Sequence, residues 1–311
     1  MSERRKAVLA LVAAALLWSV GGVLIKWVDW HPMAITAVRS ALAAGLLWAI
    51  AGRPAFNWSP VQMGGGVFYA VTMMLYVPAC KLTTAANAVL LQYTSPIWVA
   101  LFGAWFLQER ASWSDWGCIA LSLGGMALFF HEGLASRSLW GDLMAALSGL
   151  TIAWMMLLLR RQKSGSPLES VLLGNILAAV AGAPFLLGRP LPPPQAWLGL
   201  LLLGILQLGM AYALYAFAIK HVKAIEAVLI LTLEPILNPL WVLLLIGERP
   251  DGWSLVGGGL VLLAATIRGL LMAFQGQREG ERESRELEME KVDEAISLQK
   301  DSLADHSSLS R

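Results

Sequence analysis

Charge is scarce in this chain. Of its 311 residues only 14% are Asp, Glu, Lys or Arg, and 57% are hydrophobic. Ordinary soluble domains carry about 25% charged residues. A surface facing water cannot be covered from this composition, whereas lipid as solvent makes no such demand. Cysteine is as sparse: Cys80 and Cys118 form no CxxC pair, which removes a redox motif and a thiolate metal site. The four histidines, His31, His131, His221 and His306, fall in loops or the tail, and none has another at i+4. No metal site is expected from them. A GxxxxGK[ST] phosphate loop is absent, so ATP binding and other cofactors are not expected. The net charge of +2 is laid out as single or short basic clusters between apolar runs, the wrong pattern for nucleic acid.

What the chain has in quantity is apolar runs. They cover roughly 7–28, 33–51, 61–80, 85–107, 113–130, 142–160, 168–187, 197–219, 224–246 and 253–274. Each approaches the ~20 residues that cross a ~30 Å hydrocarbon core at 1.5 Å per residue. They are too long for barrel strands. Turn residues punctuate them, as in Gly52-Arg53-Pro54, Gly165-Ser166-Pro167 and Arg249-Pro250-Asp251-Gly252. The first run, Ala7–Val28 after Arg4-Arg5-Lys6, exceeds the ~7–15 residues of a signal-peptide core and reads as a retained helix. The expectation is an all-α membrane protein of ten spans. With the N-terminus inside, eleven loop Lys/Arg lie inside and five outside, which favours cytoplasmic termini. Residues 275–311 stay charged, with six Lys/Arg and ten Asp/Glu from 276 onward, and form a cytoplasmic tail.

The chain also repeats itself. At an offset of 139, Pro96 falls on Pro235, Ala88-Val89-Leu90 on Ala227-Val228-Leu229, and Glu109-Arg110 on Glu248-Arg249. Tyr76 falls on Tyr215 and Lys81 on Lys220 in the same register. Residues 1–132 and 139–274 are therefore expected to be two five-helix copies. Five is odd, so the second copy starts on the opposite side of the membrane. This is the inverted repeat with which many secondary transporters build two alternating gates around one site.

The stretch Thr84-Ala85-Ala86-Asn87-Ala88-Val89-Leu90-Leu91, then Pro96, then Leu107-Gln108-Glu109-Arg110, resembles the helix-four signature of the EamA-type drug/metabolite transporters. Its twin is Ile225-Glu226-Ala227-Val228-Leu229, Glu234-Pro235 and Ile246-Gly247-Glu248-Arg249. Leu17-Trp18-Ser19 with Lys26, and Pro32 with Arg39, are similar to that family's first two helices. The resemblance covers roughly residues 7–272. It implies a secondary transporter of amino acids, nucleobases, sugars or related metabolites. Efflux by alternating access from a bacterial inner membrane is expected, with protons a candidate driving ion. The rival readings are a passive facilitator or channel, and a membrane-embedded enzyme. The last lacks a nucleophile–base pair or metal cluster at membrane depth.

Two charges inside the spans carry the site expectation. Arg39 lies seven residues into the second run, about 10 Å deep, where a charge costs about 2.5–3.5 kcal/mol on insertion scales. It either faces a central cavity or snorkels outward. Glu234 lies mid-span directly before Pro235, with Asn238 one turn on. Pro96 and Pro235 should kink their helices and free the carbonyls of Gln92 and Leu231, which membranes tolerate only beside protein or a watery cavity. Trp18, Tyr76, Gln92, Tyr93, Trp154, Gln207 and Tyr215 are expected to line that cavity with Arg39, Glu234 and Asn238, binding a small-molecule substrate. Trp27, Trp30, Trp58, Trp113, Trp140, Trp197 and Trp253 read as interfacial belts.

Overall fold

The computed structural model describes residues 2–83, 88, 91–129, 138–162, 165–235 and 237, with isolated positions between 253 and 267. Their secondary structure is helical throughout, and they belong to one compact unit, Met1–Arg268. Among them six helices are long and apolar enough to cross a membrane. The elements are α1 Glu3–Ser19, α2 Gly21–Trp27, α3 Pro32–Ala51, α4 Pro60–Leu82, α5 Ser95–Phe106, α6 Trp113–Phe129, α7 Leu139–Arg161 and α8 Pro167–Gly182, then α9 Pro194–Leu201, a π-helical stretch Leu202–Met210, α10 Ala211–Ala218 and α11 Ala224–Leu231. These fall on the first nine expected spans. Residue 236, the ninth run from residue 238 on, most of the tenth, the tail, and with them Asn238, Glu248 and Arg249 lie outside the described residues.

Local chemistry sets the starts. Proline opens α3, α4, α5, α8 and α9 in the first turn, where its missing N–H costs nothing. Ser2, Ser59 and Ser138 cap α1, α4 and α7. Gly52 closes α3 at φ 66°, a conformation glycine adopts without strain. Glycine also lets the helices touch. A Cβ on Gly66 would meet Leu173 at 2.9 Å, and one on Gly174 would meet Tyr69 at 2.6 Å. This is the close backbone approach that replaces hydrophobic driving force in lipid. Outward faces stay apolar, with Leu9, Val180, Trp105 and Leu198 exposed. The belt residues Trp27, Trp58, Trp113, Trp140, Trp197 and Trp253 are exposed as well.

Loops gather at two ends. At one, Arg4 pairs with Glu226 at 3.1 Å and Arg160 with Glu109 at 2.8 Å. Arg160 also donates to Ile219 O and Lys220 O, and Ala224 N–H donates to Glu109. At the other, Thr83 donates to Asp142 at 2.6 Å and Trp30 to Pro190 O at 3.3 Å. Lys81 and Lys220 make matching bonds at opposite ends, Lys81 Nζ to Val28 O and Lys220 Nζ to Gly165 O.

Among the described residues three spans are interrupted. The first, expected as one helix, breaks at Val20 between α1 and α2. The fourth turns at Tyr93–Thr94 before Pro96, and the ninth at Thr232–Leu233 before Pro235. The prolines were expected to bend continuous helices. Instead each sits in the first turn after a break, so the chain leaves the helix before the ring can clash. The two turns stand 139 residues apart. In each, a threonine hydroxyl bonds back three residues, Thr94 to Leu91 O and Thr232 to Leu229 O. The sixth span, α7, runs unbroken.

Candidate functional site

The breaks converge on one cavity. Trp18 comes from the end of α1, Arg39 from α3, Tyr76 from α4, Gln92 and Tyr93 from the fourth-span turn, Gln207 from the π-helical stretch and Glu234 from the ninth-span turn. Its volume is ≈ 50 Å³, room for roughly three to five waters at ~10–15 Å³ each. A metabolite enters only if the helices part.

Arg39 is 1% exposed and points inward, not along the snorkelling path. Its Nη2 donates to Met73 Sδ at 3.1 Å, while Nε has no protein partner among the described residues. No carboxylate stands within ion-pair distance of it there. Glu234 Oε2 accepts from Tyr93 Oη at 2.5 Å, and the same hydroxyl lies 3.0 Å from Leu231 O. Leu231 O is the carbonyl that Pro235 deprives of its helical donor. The matching carbonyl in the fourth span, Gln92 O, lies 2.8 Å from where a Cβ on Gly149 would stand. Gln92 Nε2 donates to Ser148 Oγ at 3.2 Å. Trp18 Nε1 and Gln207 Oε1 are likewise buried without protein partners among the described residues. With Arg39 Nε they make two donors and one acceptor unmatched around one cavity. Buried polar groups are rarely left so.

Seven of the expected residues thus meet in the cavity: Trp18, Arg39, Tyr76, Gln92, Tyr93, Gln207 and Glu234. Two do not line it. Trp154 packs instead among phenylalanines, stacking on Phe102 at 5.0 Å and Phe68 at 6.0 Å. Tyr215 is fully buried, 5.8 Å from the Trp18 ring, but is not part of the cavity lining. Asn238 is outside the described residues. Tyr212, 4.7 Å from Trp18, takes the place expected of Tyr215, and Met73 and Ser95 complete the polar wall. His31 lies outside the spans, stacked 5.2 Å from Phe185. Desolvation, and then the charge of Arg189, hold its pKa below the ordinary value.

Helices with lipid-compatible outer faces, broken around a polar centre, define a multi-pass membrane protein of the transporter class. The model of the EamA-like transporter family matches residues 5–131 and again 139–269. The chain belongs to that family, within the drug/metabolite transporter superfamily. It is 26% identical to an uncharacterised transporter of Archaeoglobus fulgidus, over 83% of this chain and 94% of that one. An uncharacterised protein of Pseudomonas aeruginosa is 30% identical over 86% and 98%. The pseudopaline exporter CntI of Pseudomonas aeruginosa is 26% identical over 84% and 94%. A solved crystal structure, described only as a protein, superposes with a TM-score of 0.74 at 22% identity, over 86% of this chain and 98% of the other. The two share a fold.

Proposed function

We propose that the protein is a secondary transporter that exports small zwitterionic metabolites of the amino-acid type by alternating access. One observation carries the substrate class: a buried guanidinium without a carboxylate partner among the described residues and a carboxyl group face the same cavity. A substrate carboxylate matches Arg39, whose planar fork suits bidentate binding. An ammonium matches Glu234. Trp18 and Tyr212 flank them with rings that accept an apolar side chain. The two successive family matches and the breaks one repeat apart support two inverted five-helix copies, 1–132 and 139–274, with a tail at 275–311. The name of the pseudopaline exporter supports the outward direction. The excess of Lys and Arg in the loops on the N-terminal side supports a bacterial inner membrane with both termini on its cytoplasmic side.

Proteoliposome counterflow tests this reading. Free amino acids of varied side chain are compared with their methyl esters and N-acetyl forms, which lose one charge each. Exchange of the free zwitterions is expected, with each blocked form at least tenfold slower. Equal rates for free and blocked forms would remove Arg39 and Glu234 from substrate recognition.

A further inference from the structure

The Tyr93 hydroxyl stands between two acceptors, Leu231 O at 3.0 Å and Glu234 Oε2 at 2.5 Å. A phenol has one proton to donate. While Glu234 is ionised that proton goes to the carboxylate, because charge-assisted bonds are the stronger. Leu231 O, already stripped of its helical donor by Pro235, then loses Tyr93 as well. Once Glu234 carries a proton it becomes a donor. It donates to the Tyr93 oxygen, Tyr93 turns to Leu231 O, and all three groups are satisfied. The balance is simple. One proton from the aqueous phase bonds to the Glu234 carboxylate, the tyrosine keeps its own, and no other covalent bond changes.

We propose that Glu234 and Tyr93 form the proton site of this carrier, and that Tyr93 reports the proton to the ninth-span break through the carbonyl of Leu231. The inference rests on the cavity being the transport site. Arg39 from α3, Tyr76 from α4 and Tyr212 from α10 face the same space, but the hydrogen bond recorded on Glu234 comes from Tyr93. Tyr93 acts as a positioning residue. It couples protonation to helix geometry, and the break is where an unwound helix can re-form or open.

Infrared difference spectroscopy of the full chain in nanodiscs, in sodium-free buffer and without substrate, reads the site directly. Lowering the pH is expected to raise the carbonyl band of a protonated carboxylic acid, absent in Glu234→Gln and displaced in Tyr93→Phe. If Tyr93→Phe does not fold, fluorotyrosine at position 93 keeps the ring and hydroxyl and is expected to displace the band instead. A second readout is maleimide labelling of Met156→Cys on the cavity wall. Its rate should vary with pH, and that dependence should be lost with Tyr93→Phe. The proposal is overturned by a spectrum with no band that depends on Glu234 while the protein stays folded, by a band unmoved when Tyr93 is altered, or by labelling that responds to sodium and not to pH. None of this requires a substrate. If amino acids fail in counterflow while the band behaves as stated, the proton site stands and the substrate class falls.

Discussion

Arg39 is a costly side chain for a membrane-spanning bundle to bury. It holds a full charge at 1% exposure with a thioether as its recorded acceptor. Removing an unpaired buried charge relieves a desolvation cost, and apolar replacements of similar volume are often neutral or stabilising. Arg39→Met should therefore unfold at the same or a higher temperature than the parent in detergent, while losing transport of carboxylate-bearing substrates. A less stable variant that still transports would mark Arg39 as structural. Arg39 and Glu234 were legible in the sequence because a charge inside an apolar run is an anomaly that needs a reason. Trp154 and Tyr215 were not sorted, because an aromatic residue in a span fits lipid, core or cavity equally well. Only the packing shows that Trp154 meets Phe68, Phe102 and Phe106. Met73 carried no signal, since nothing in its neighbourhood distinguishes an acceptor sulfur from a packing one.

At the scale of the helix, the breaks depend on what their neighbours leave room for. A Cβ on Gly149 of α7 would stand 2.8 Å from Gln92 O and 2.9 Å from Leu91 O, both backbone atoms that cannot step aside. Gly149→Ala should cost about 1–3 kcal/mol, the range for overpacking a close contact, and shift the fourth-span turn. Gly45 of α3 is the internal control, since among the described residues nothing lies within 4 Å of its Cβ position. Gly45→Ala should add about 0.5–1 kcal/mol through helix propensity alone. Thermal unfolding of both variants in one detergent checks the opposite signs. The breaks before Pro96 and Pro235 were legible because proline announces them. The break at Val20 and the π-helical stretch were not, as neither contains proline. In the stretch, Gly204 and Gly209 sit where a Cβ would meet Leu42 at 2.5 Å and Leu46 at 2.7 Å. The irregularity thus accompanies close packing against α3, a long-range fact with no local signature. Such stretches concentrate at functional sites, and Gln207 lies within this one.

For the whole molecule, the proposed alternating access would make the ionic ties at the Arg4 end a closed gate. Glu109 is held by Arg160 and by the Ala224 N–H, so Glu109→Gln weakens two bonds at once. Labelling of Met156→Cys by a reagent applied from that side should rise several-fold, since each 1.4 kcal/mol shifts such a population tenfold. An unchanged rate would show that the ties are structural and not a gate. The expected topology makes that side the cytoplasm. With cysteines introduced at residues 133 and 163, an impermeant reagent outside whole cells should reach 133 and spare 163, and the reverse pattern would invert the molecule. Finally, the lone guanidinium has an electrical consequence. With Glu234 ionised to meet the ammonium, Arg39 and Glu234 sum to zero and a zwitterion leaves that sum unchanged, whereas with Glu234 protonated and no substrate bound the centre carries one net positive charge. If the bilayer field falls across alternate sides of this centre as the gates exchange, each turnover moves charge against the membrane voltage. One elementary charge across 100 mV amounts to about 2.3 kcal/mol. Carriers adsorbed on a solid-supported membrane should then give a current transient even when the substrate itself is neutral.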